Sequence, residues 1–327
     1  MTVLKIAIVF FVVIVGFFYV KASNFTPFIP PSQPASTVEG SSAVTGVMTQ
    51  PLWQFATGMT PSVYGVPGIL SGAALVFFAF IGFDVVATAS EETKNPHKNV
   101  PLGIGVGMLL IIVMYMLVAV VTTGMVSYAD LAKQDSPSLA TAFELVGADW
   151  AAKIISFGIV LGLATVVMVL LLGLTRIVFA MSRDGLLPRG LSKTGKHGTP
   201  AALQIVVGAV VALVAAFFDI GVLSDMVNIG TLSAFTLVAI SIPIMRKKRP
   251  DLPRAFKMPG SPWIPILIAV ANFWLMLNLS VLTWIRFVVW LVVGFAIYFG
   301  YGYWHARLGK GDLTETLSAE TDKAVNG

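Results

Sequence analysis

Hydrophobic residues in this chain are grouped into long runs, and polar residues are confined mostly to the segments between them. A helix that crosses the hydrocarbon core of a bilayer needs about 20 predominantly apolar residues. The runs that reach or approach this length are residues 1–20, 68–90, 102–128, 154–181, 201–218, 222–245, 263–283 and 287–303. The pattern therefore predicts an all-α polytopic membrane protein with about eight transmembrane helices.

The first run, residues 1–20, is open to two interpretations. Lys5 is a weak basic start, an apolar stretch follows, and Val20-Lys21-Ala22 is a tolerable cleavage site, as in a signal peptide. The run is also long enough to be a membrane helix. The hydrophobic pattern alone favours the helix.

The second run, residues 68–90, is interrupted at its centre by Ile81-Gly82-Phe83-Asp84. A carboxylate in the middle of a membrane helix costs about 2.5–3.5 kcal/mol on insertion scales, and glycine weakens a helix interior. An interrupted span is a sequence pointer to a transporter binding site. Either the helix unwinds here, so that freed carbonyls bind a cationic group and Asp84 caps the second half, or Asp84 is a structural residue bonded to a neighbouring helix.

The polar segments divide the chain into a membrane domain, residues 1–304, and a tail, residues 305–327. Residues 24–67 are rich in Pro, Ser, Thr and Gly and are predicted to form a long loop. With the residue that precedes this stretch, the loop of the membrane domain is residues 23–67. Leu139–Val146 is predicted to form a short surface helix. Three residues, Asp219 to Gly221, separate the fifth and sixth spans and predict a tight antiparallel pair.

Composition supports the membrane class and excludes several kinds of site. The chain is 57% hydrophobic and 11% charged, whereas a soluble domain carries about 25% charged residues. It has no cysteine, which excludes disulfides and thiolate sites. His97, His197 and His305 all lie in predicted loops or the tail. We therefore expect no enzyme activity, no metal and no cofactor, and the net charge of +5 does not indicate nucleic-acid binding.

The distribution of basic residues predicts the orientation in the membrane. Loops 91–100, 182–200 and 246–262 and the tail carry most of the Lys and Arg, while the opposite side holds Lys21, Lys133, Lys153 and Arg286. Cytoplasmic loops carry the excess of basic residues. An even number of spans then places both termini in the cytoplasm and the 23–67 loop outside.

A few polar side chains lie inside or next to the spans. Lys5 is a plausible proton carrier if it is desolvated, or it extends to the cytoplasmic interface. Thr165, in the middle of the fourth span, is expected to bond to its own helix carbonyls. Glu91 and Glu92 follow the second span. They are interpreted either as gating residues that form ion pairs with cytoplasmic Lys or Arg, or as ordinary solvated residues at a helix end.

Six sequence segments, taken together, resemble a known family. They are Phe77-Phe78-Ala79-Phe80-Ile81-Gly82-Phe83-Asp84, Glu91-Glu92-Thr93-Lys94-Asn95-Pro96, Met181-Ser182-Arg183-Asp184-Gly185-Leu186-Leu187-Pro188, Val227-Asn228-Ile229-Gly230-Thr231-Leu232, Arg249-Pro250-Asp251-Leu252-Pro253-Arg254 and Thr283-Trp284-Ile285-Arg286-Phe287. In this order they resemble amino acid permeases of the amino acid–polyamine–organocation (APC) superfamily, closest to the cationic amino acid transporter branch.

The resemblance implies a leucine-transporter-like fold, with two inverted repeats of five helices and two further helices. On this comparison residues 1–20 correspond to the family's fifth helix, 68–90 to the sixth and 287–303 to the twelfth. The signal-peptide interpretation then loses its support. The family's first four helices have no counterpart, so the chain is expected to be the C-terminal part of a transporter, with a separate N-terminal fragment as a possible partner.

The resemblance also implies roles for individual residues. The sixth-helix substrate site maps to Phe78, Ile81, Gly82, Phe83 and Asp84, with carbonyls of Phe78 and Ile81 accepting from the substrate ammonium group. In proton-coupled relatives a fifth-helix lysine takes the place of a sodium ion, and Lys5 matches it. Thr165 maps near the hydroxyl residue that faces this lysine from the eighth helix.

The function implied is secondary active import of amino acids across the cell membrane, with protons as the coupling ion. The alternative is an inert remnant or a non-transporting membrane scaffold. The partners expected for the first interpretation are an amino acid, a proton and the lipid bilayer.

Overall fold

The computed structural model describes residues 2–37, 46–83, 86, 93–134, 137–193, 200–250 and 260–306, and most of these are helical. The α-helices are α1 (Thr2–Phe17), α2 (Leu52–Thr57), α3 (Gly65–Val76), α4 (Pro96–Met125), α5 (Tyr128–Ala132), α6 (Leu139–Leu145), α7 (Asp149–Arg183), α8 (Ala201–Phe217), α9 (Ile220–Lys248), α10 (Trp263–Leu277), α11 (Val281–Ile297) and α12 (Tyr303–His305). Strands β1 (Gln33–Pro34) and β2 (Ser62–Val63) pair antiparallel.

Each predicted span contains an apolar helix in the described residues, and for the second span, 68–90, that helix is Gly65–Phe80. Four helical stretches are long and apolar enough to cross a membrane: Lys98–Met125, Asp149–Arg183, Ile220–Lys248 and Val281–His305. Val3–Phe17, Gly65–Phe80, Ala201–Phe217 and Trp263–Leu277 are apolar but shorter. A 16-residue helix is about 24 Å long, somewhat less than the hydrocarbon thickness of about 30 Å.

The third span begins six residues earlier than predicted. Helix α4 starts at Pro96, within the segment expected to be a charged loop. Proline is favoured at the first helical position because its missing N–H has no intrahelical partner there. Asn95 precedes it with φ 50°, a left-handed conformation that Asn tolerates. The loop prediction for residues 96–100 was therefore wrong.

The boundary between the last two spans also differs from the prediction. Helix α10 ends at Leu277, and α11 begins at Val281, so Thr283 belongs to the last span rather than the seventh. The Ser280 hydroxyl accepts from the N–H of Thr283 at 3.2 Å, as an N-cap does. This cap starts the new helix inside what reads as one continuous apolar stretch.

The described helices form two compact units, Met1–Val167 with Ser224–Trp284, and Met168–Leu223 with Ile285–Gly327. The first unit contains a buried cluster contributed by α1, the end of α4, α6 and the start of α7. Phe143 of α6 belongs to this cluster, and its side chain is 1% exposed. The helix predicted at Leu139–Val146 exists, but the expectation that it lies on the surface was wrong, because its aromatic side chain fills this core.

Close packing in this cluster depends on glycines. A side chain at Gly16 of α1 would collide with Val121 and Met125 of α4. At Gly158 of α7 it would collide with Ile8 of α1. Small residues let membrane helices approach closely, and van der Waals packing then holds them together.

The loop predicted at 24–67 contains β1, β2 and α2 and is attached to the rest of the first unit. The N–H groups of Val281 and Leu282 donate to Gln50 and Met48 at 3.1 and 2.8 Å. Leu52 N–H donates to the carbonyl of Leu279 at 3.0 Å. These bonds hold the 48–52 segment against the turn between α10 and α11.

In the second unit, the end of α7 turns at Gly185, with φ 83°, and a side chain there would collide with the backbone of His305. The Ser182 hydroxyl donates to Pro188 at 2.6 Å across this turn. His305, placed at the start of the tail by the sequence, is helical and stacks on Tyr301. Residues 307–327 of the predicted tail lie outside the described residues, and the domain boundary stays a prediction.

Candidate functional site

The predicted interruption of the second span is present. Helix α3 continues as a 3-10 turn, Phe77–Phe80, and the helical backbone stops at Ile81, which is extended (φ −65°, ψ 137°). Gly82 follows with φ 116°, a conformation that a residue with a Cβ rarely adopts. The glycine therefore permits the change of chain direction at this point.

Ending a helix leaves its last carbonyls without intrahelical partners. One of them is satisfied from α4: the Tyr115 hydroxyl donates to the carbonyl of Ala79 at 2.8 Å. The Phe78 carbonyl accepts from the N–H of Ile81 at 3.2 Å. A carbonyl oxygen has two lone pairs, so the Phe78 carbonyl retains capacity for a second donor.

Aromatic rings brace the interruption from two sides. Phe235 of α9 lies with its ring centroid 6.1 Å from that of Phe77 and 5.2 Å from that of Phe83. The Phe80 ring lies 5.1 Å from Tyr115. Such pairs contribute about 0.5–1.5 kcal/mol each beyond burial. One ring of α9 thus contacts the chain both before and after Gly82.

Asn228 of α9 also faces this helix. It is 0% exposed, and its amide nitrogen donates to the Leu75 carbonyl at 3.5 Å. Its amide oxygen has no hydrogen-bond partner within the described part of the chain. A buried amide of this kind is a point where a donor would be accommodated.

The predicted substrate residues differ in how far they are exposed. The Phe78 side chain is 42% exposed, and Ile81, Gly82 and Phe83 are partly buried along the interruption. Asp84 lies outside the described residues, as do Glu91 and Glu92. The four described positions come together because they lie within six residues of each other just after α3.

The two residues predicted for proton coupling lie on helices that pack against each other. Lys5 is partly buried on α1. Helix α1 contacts α7 through Phe11 with Trp150, ring centroids 5.8 Å apart, and at Ile8 with Gly158. Thr165 of α7 donates its hydroxyl to its own helix at Gly162, at 2.8 Å, as expected from the sequence.

A cavity of about 840 Å³ lies beside α3 on the side of the long loop. Its walls come from the 24–30, 49–51 and 62–75 segments, the end of α4, Asp225 of α9 and the 278–280 turn. Tyr64 and Tyr128 meet edge to face in its wall, with ring centroids 5.2 Å apart. Among the described lining residues, Asp225 is the sole carboxylate, and none is a Lys, Arg or His.

The sequence interpretation had missed Tyr115, Phe235 and Asp225. An ionisable residue inside an apolar span is a recognised signal, and it would have found Asp225 within the 222–245 run. Tyr115 carries a hydroxyl in the middle of an otherwise apolar run, which is a weaker signal of the same kind. Nothing in the local pattern distinguishes Phe235 from the other aromatic residues of the spans.

Comparison with protein families matches residues 1–302 to the amino acid permease model. The chain belongs to the amino acid permease family. As a family member it is a multi-pass membrane protein of the all-α APC type, and the predicted fold class is confirmed. The family and its relatives are transporters and not enzymes, in agreement with the prediction made from the sequence.

Curated relatives cover most of this permease-family chain. It is 42% identical over 311 residues to the branched-chain amino acid permease BcaP of Bacillus subtilis (strain 168), covering 95% of the chain and 60% of the relative. It is 39% identical over 308 residues to the methylthioribose transporter of the same organism, covering 94% and 59%. It is 45% identical over 195 residues to the mitochondrial cationic amino acid transporter 3 of Arabidopsis thaliana, covering 59% and 31%. The chain spans about 60% of the length of the first two relatives.

Proposed function

We propose that this chain forms part of a proton-coupled amino acid permease and that its substrate binds at the interruption after α3. The observation that carries the proposal is the extended Ile81 followed by Gly82 at φ 116° in a chain that matches the amino acid permease family. Interrupted helices supply backbone groups for substrates in transporters of this kind.

The chemistry of the interruption suits an ammonium group. Carbonyl oxygens of Phe78 and Ile81 are acceptors near the point where the helix stops, and an ammonium group offers three donors. In this proposal Asp84, which lies outside the described residues, keeps the capping role expected from the sequence. The bracing by Tyr115 and Phe235 keeps the segment in its non-helical conformation before substrate arrives, which lowers the ordering cost of binding.

Proton coupling is assigned to Lys5, with Thr165 facing it. The contacts of α1 with α7 run in opposite directions along the two helices, from Phe11–Trp150 to Ile8–Gly158. The antiparallel order of these contacts supports the proposal, because residues earlier on α1 then lie nearer to later turns of α7. A lysine that loses its proton in such a place changes the local charge and thereby links proton movement to the alternation of the helices.

The orientation follows from the basic loops. In this proposal the chain lies in the cell membrane with both termini and the basic segments in the cytoplasm, and with the loop between α1 and α3 outside. Protons then move inward with the amino acid. In this proposal the remaining part of the substrate site comes from the part of the permease family's length that this chain does not span.

The test is uptake into liposomes with an imposed inward proton gradient. Radiolabelled leucine and lysine are suitable substrates because relatives are named for branched-chain and cationic amino acids. Uptake is measured for the chain alone and for the chain co-expressed with the part of the Bacillus subtilis permease that it does not match. We expect concentrative uptake that collapses when the gradient is dissipated.

Lys5→Ala is expected to abolish the gradient dependence, while Lys21→Ala, an exposed lysine just beyond α1, leaves it intact. Uptake that keeps its full gradient dependence in Lys5→Ala would remove the coupling role. A complete lack of uptake in both preparations, with folded protein, would favour a non-transporting scaffold.

A further inference from the structure

We propose that the C-terminal end of α9 is a binding surface for an anionic phospholipid, with the headgroup phosphate held by Lys247 and Lys248. Helix α9 carries Arg246, Lys247 and Lys248 in its last turn, and Arg249 follows directly. These four residues are the basic end of α9. The site goes beyond the proposed transport function, because it uses neither the interruption after α3 nor Lys5.

The length of α9 places its basic end at the level of lipid headgroups. The helix has 29 residues, which corresponds to about 43 Å, and it is long and apolar enough to cross a membrane. A bilayer is about 30 Å thick across its hydrocarbon core and about 40–45 Å thick with its headgroups. The last turn of a helix of this length therefore lies among the headgroup phosphates.

An exposed apolar stripe leads along α9 to the two lysines. Leu237, Ile240 and Ile244 are all exposed, Leu237 at 69%, and their spacing of three and four residues places them on one helix face. Lys247 and Lys248 lie three and four residues after Ile244 and extend the same face. One lipid on this face has its acyl chains along the stripe and its headgroup at the lysines.

The positive charge of the two lysines is not offset by a carboxylate in the described part of the chain. Both side chains are exposed, and neither forms an ion pair with a described residue. The end of α7 differs, because there Nε of Arg183 lies 3.4 Å from Oδ1 of Asp184. The helix dipole favours a base at a helix C-terminus, but two adjacent ammonium groups also repel each other. An anion between them offsets this repulsion.

The chemistry of the surface favours a phospholipid over a soluble anion. Each ammonium group has three donors, and Lys binds phosphate as a point charge. Groups of about four to eight Lys or Arg directly beyond a membrane helix are typical of binding to anionic lipids, and the basic end of α9 has four in succession. A free phosphate would meet the charge but would leave the apolar stripe without a partner, whereas a lipid satisfies both.

The experiment is a native mass spectrometry titration of the purified chain with phosphatidylglycerol and with phosphatidylcholine of identical acyl chains. We expect the anionic lipid to bind about tenfold or more tightly, since each basic residue near an anionic headgroup adds to the attraction. The preference should fall as ionic strength rises, because these exposed charges are screened by salt. Equal affinities for the two lipids at low ionic strength, with folded protein, would overturn the proposal without any variant.

The double variant Lys247→Gln/Lys248→Gln is expected to weaken phosphatidylglycerol binding about tenfold to thirtyfold and to leave phosphatidylcholine binding unchanged. Lys247→Arg/Lys248→Arg should retain the preference, because the charge is kept. The matched control is Lys21→Gln/Lys193→Gln, which removes two exposed lysines elsewhere. An unchanged preference in folded Lys247→Gln/Lys248→Gln, or an equal loss in the control, would also overturn the site.

A soluble competitor distinguishes a lipid from a free phosphate. Glycerol 3-phosphate has the headgroup phosphate but no acyl chains, so we expect it to bind far more weakly than phosphatidylglycerol. Equal affinity would identify a site for soluble phosphates and overturn the lipid assignment. These measurements do not involve uptake, so their failure leaves the proposed transport function untouched.

Discussion

Two regions of the first unit, the buried cluster and the interruption after α3, differ in how tightly their apolar helices are packed. The cluster of α1, α4, α6 and α7 is held by close apolar packing, with Val12 and Phe143 each 1% exposed and with glycines where helices approach. The end of α3 is open, with Phe78 42% exposed, and is held by one hydroxyl from Tyr115 and by the ring of Phe235. The first region resists change, whereas the second is braced at a few points that a ligand or a motion can replace.

The largest effect is expected in the packed cluster. Phe143→Ala removes a buried ring and should lower the free energy of unfolding by about 3–5 kcal/mol. The measurement is denaturation of the purified protein in detergent. Leu145→Ala on the same helix, where the side chain is 44% exposed, is the control and should change it by less than about 1 kcal/mol. Similar losses from the two variants would show that the cluster is not a rigid core.

A smaller and more local effect is expected at the interruption. Tyr115→Phe removes the donor to the Ala79 carbonyl, a bond with a net contribution of about 1 kcal/mol. Amide hydrogen exchange of residues 77–83 should accelerate about fivefold, while global stability changes little. Tyr298→Phe, in a side chain of similar exposure (43% against 40%), should leave that exchange unchanged. Protection that survives in Tyr115→Phe would transfer the bracing role to Phe235.

The smallest effect concerns the polar edge of the packed region. The Ser127 hydroxyl, and after it Lys133, hold the pKa of the Asp130 carboxyl below its usual range. Because the folded-state pKa is lowered, the stabilisation of α5 is present above the unfolded-state value and is lost as pH falls through the folded-state value. Amide exchange of residues 128–132 should therefore rise below about pH 3.8, the ordinary value for an aspartate.

Ser127→Ala should move the Asp130 titration upwards, because it removes the 2.8 Å hydroxyl donor. Asp130→Asn is the control and should abolish the pH dependence of these amides. An unchanged titration in Ser127→Ala would leave Lys133, 3.4 Å away, as the sole partner that matters.

Local hydrophobicity accounts for what could be predicted. Each of the eight apolar runs contains a helix in the part of the chain that the structure describes, because an apolar run satisfies its backbone internally as a helix wherever it lies. The interruption at Ile81-Gly82 was also readable, since a glycine and a carboxylate within one span are local features. The start of α4 and the boundary at Ser280 were missed because a proline and a serine inside apolar surroundings act through backbone geometry, which hydropathy does not report.

The amino-acid sequence by itself determined the membrane class, the number of apolar helices, the interruption of α3 and the family. Each of these depends on residues close together in the chain. Only the tertiary structure decided that Tyr115 satisfies the Ala79 carbonyl, that Phe235 contacts both sides of Gly82, and that Thr283 orients Asp225 in a cavity. Those partners are separated by 36 to 158 positions in the sequence, and only packing brings them within contact distance.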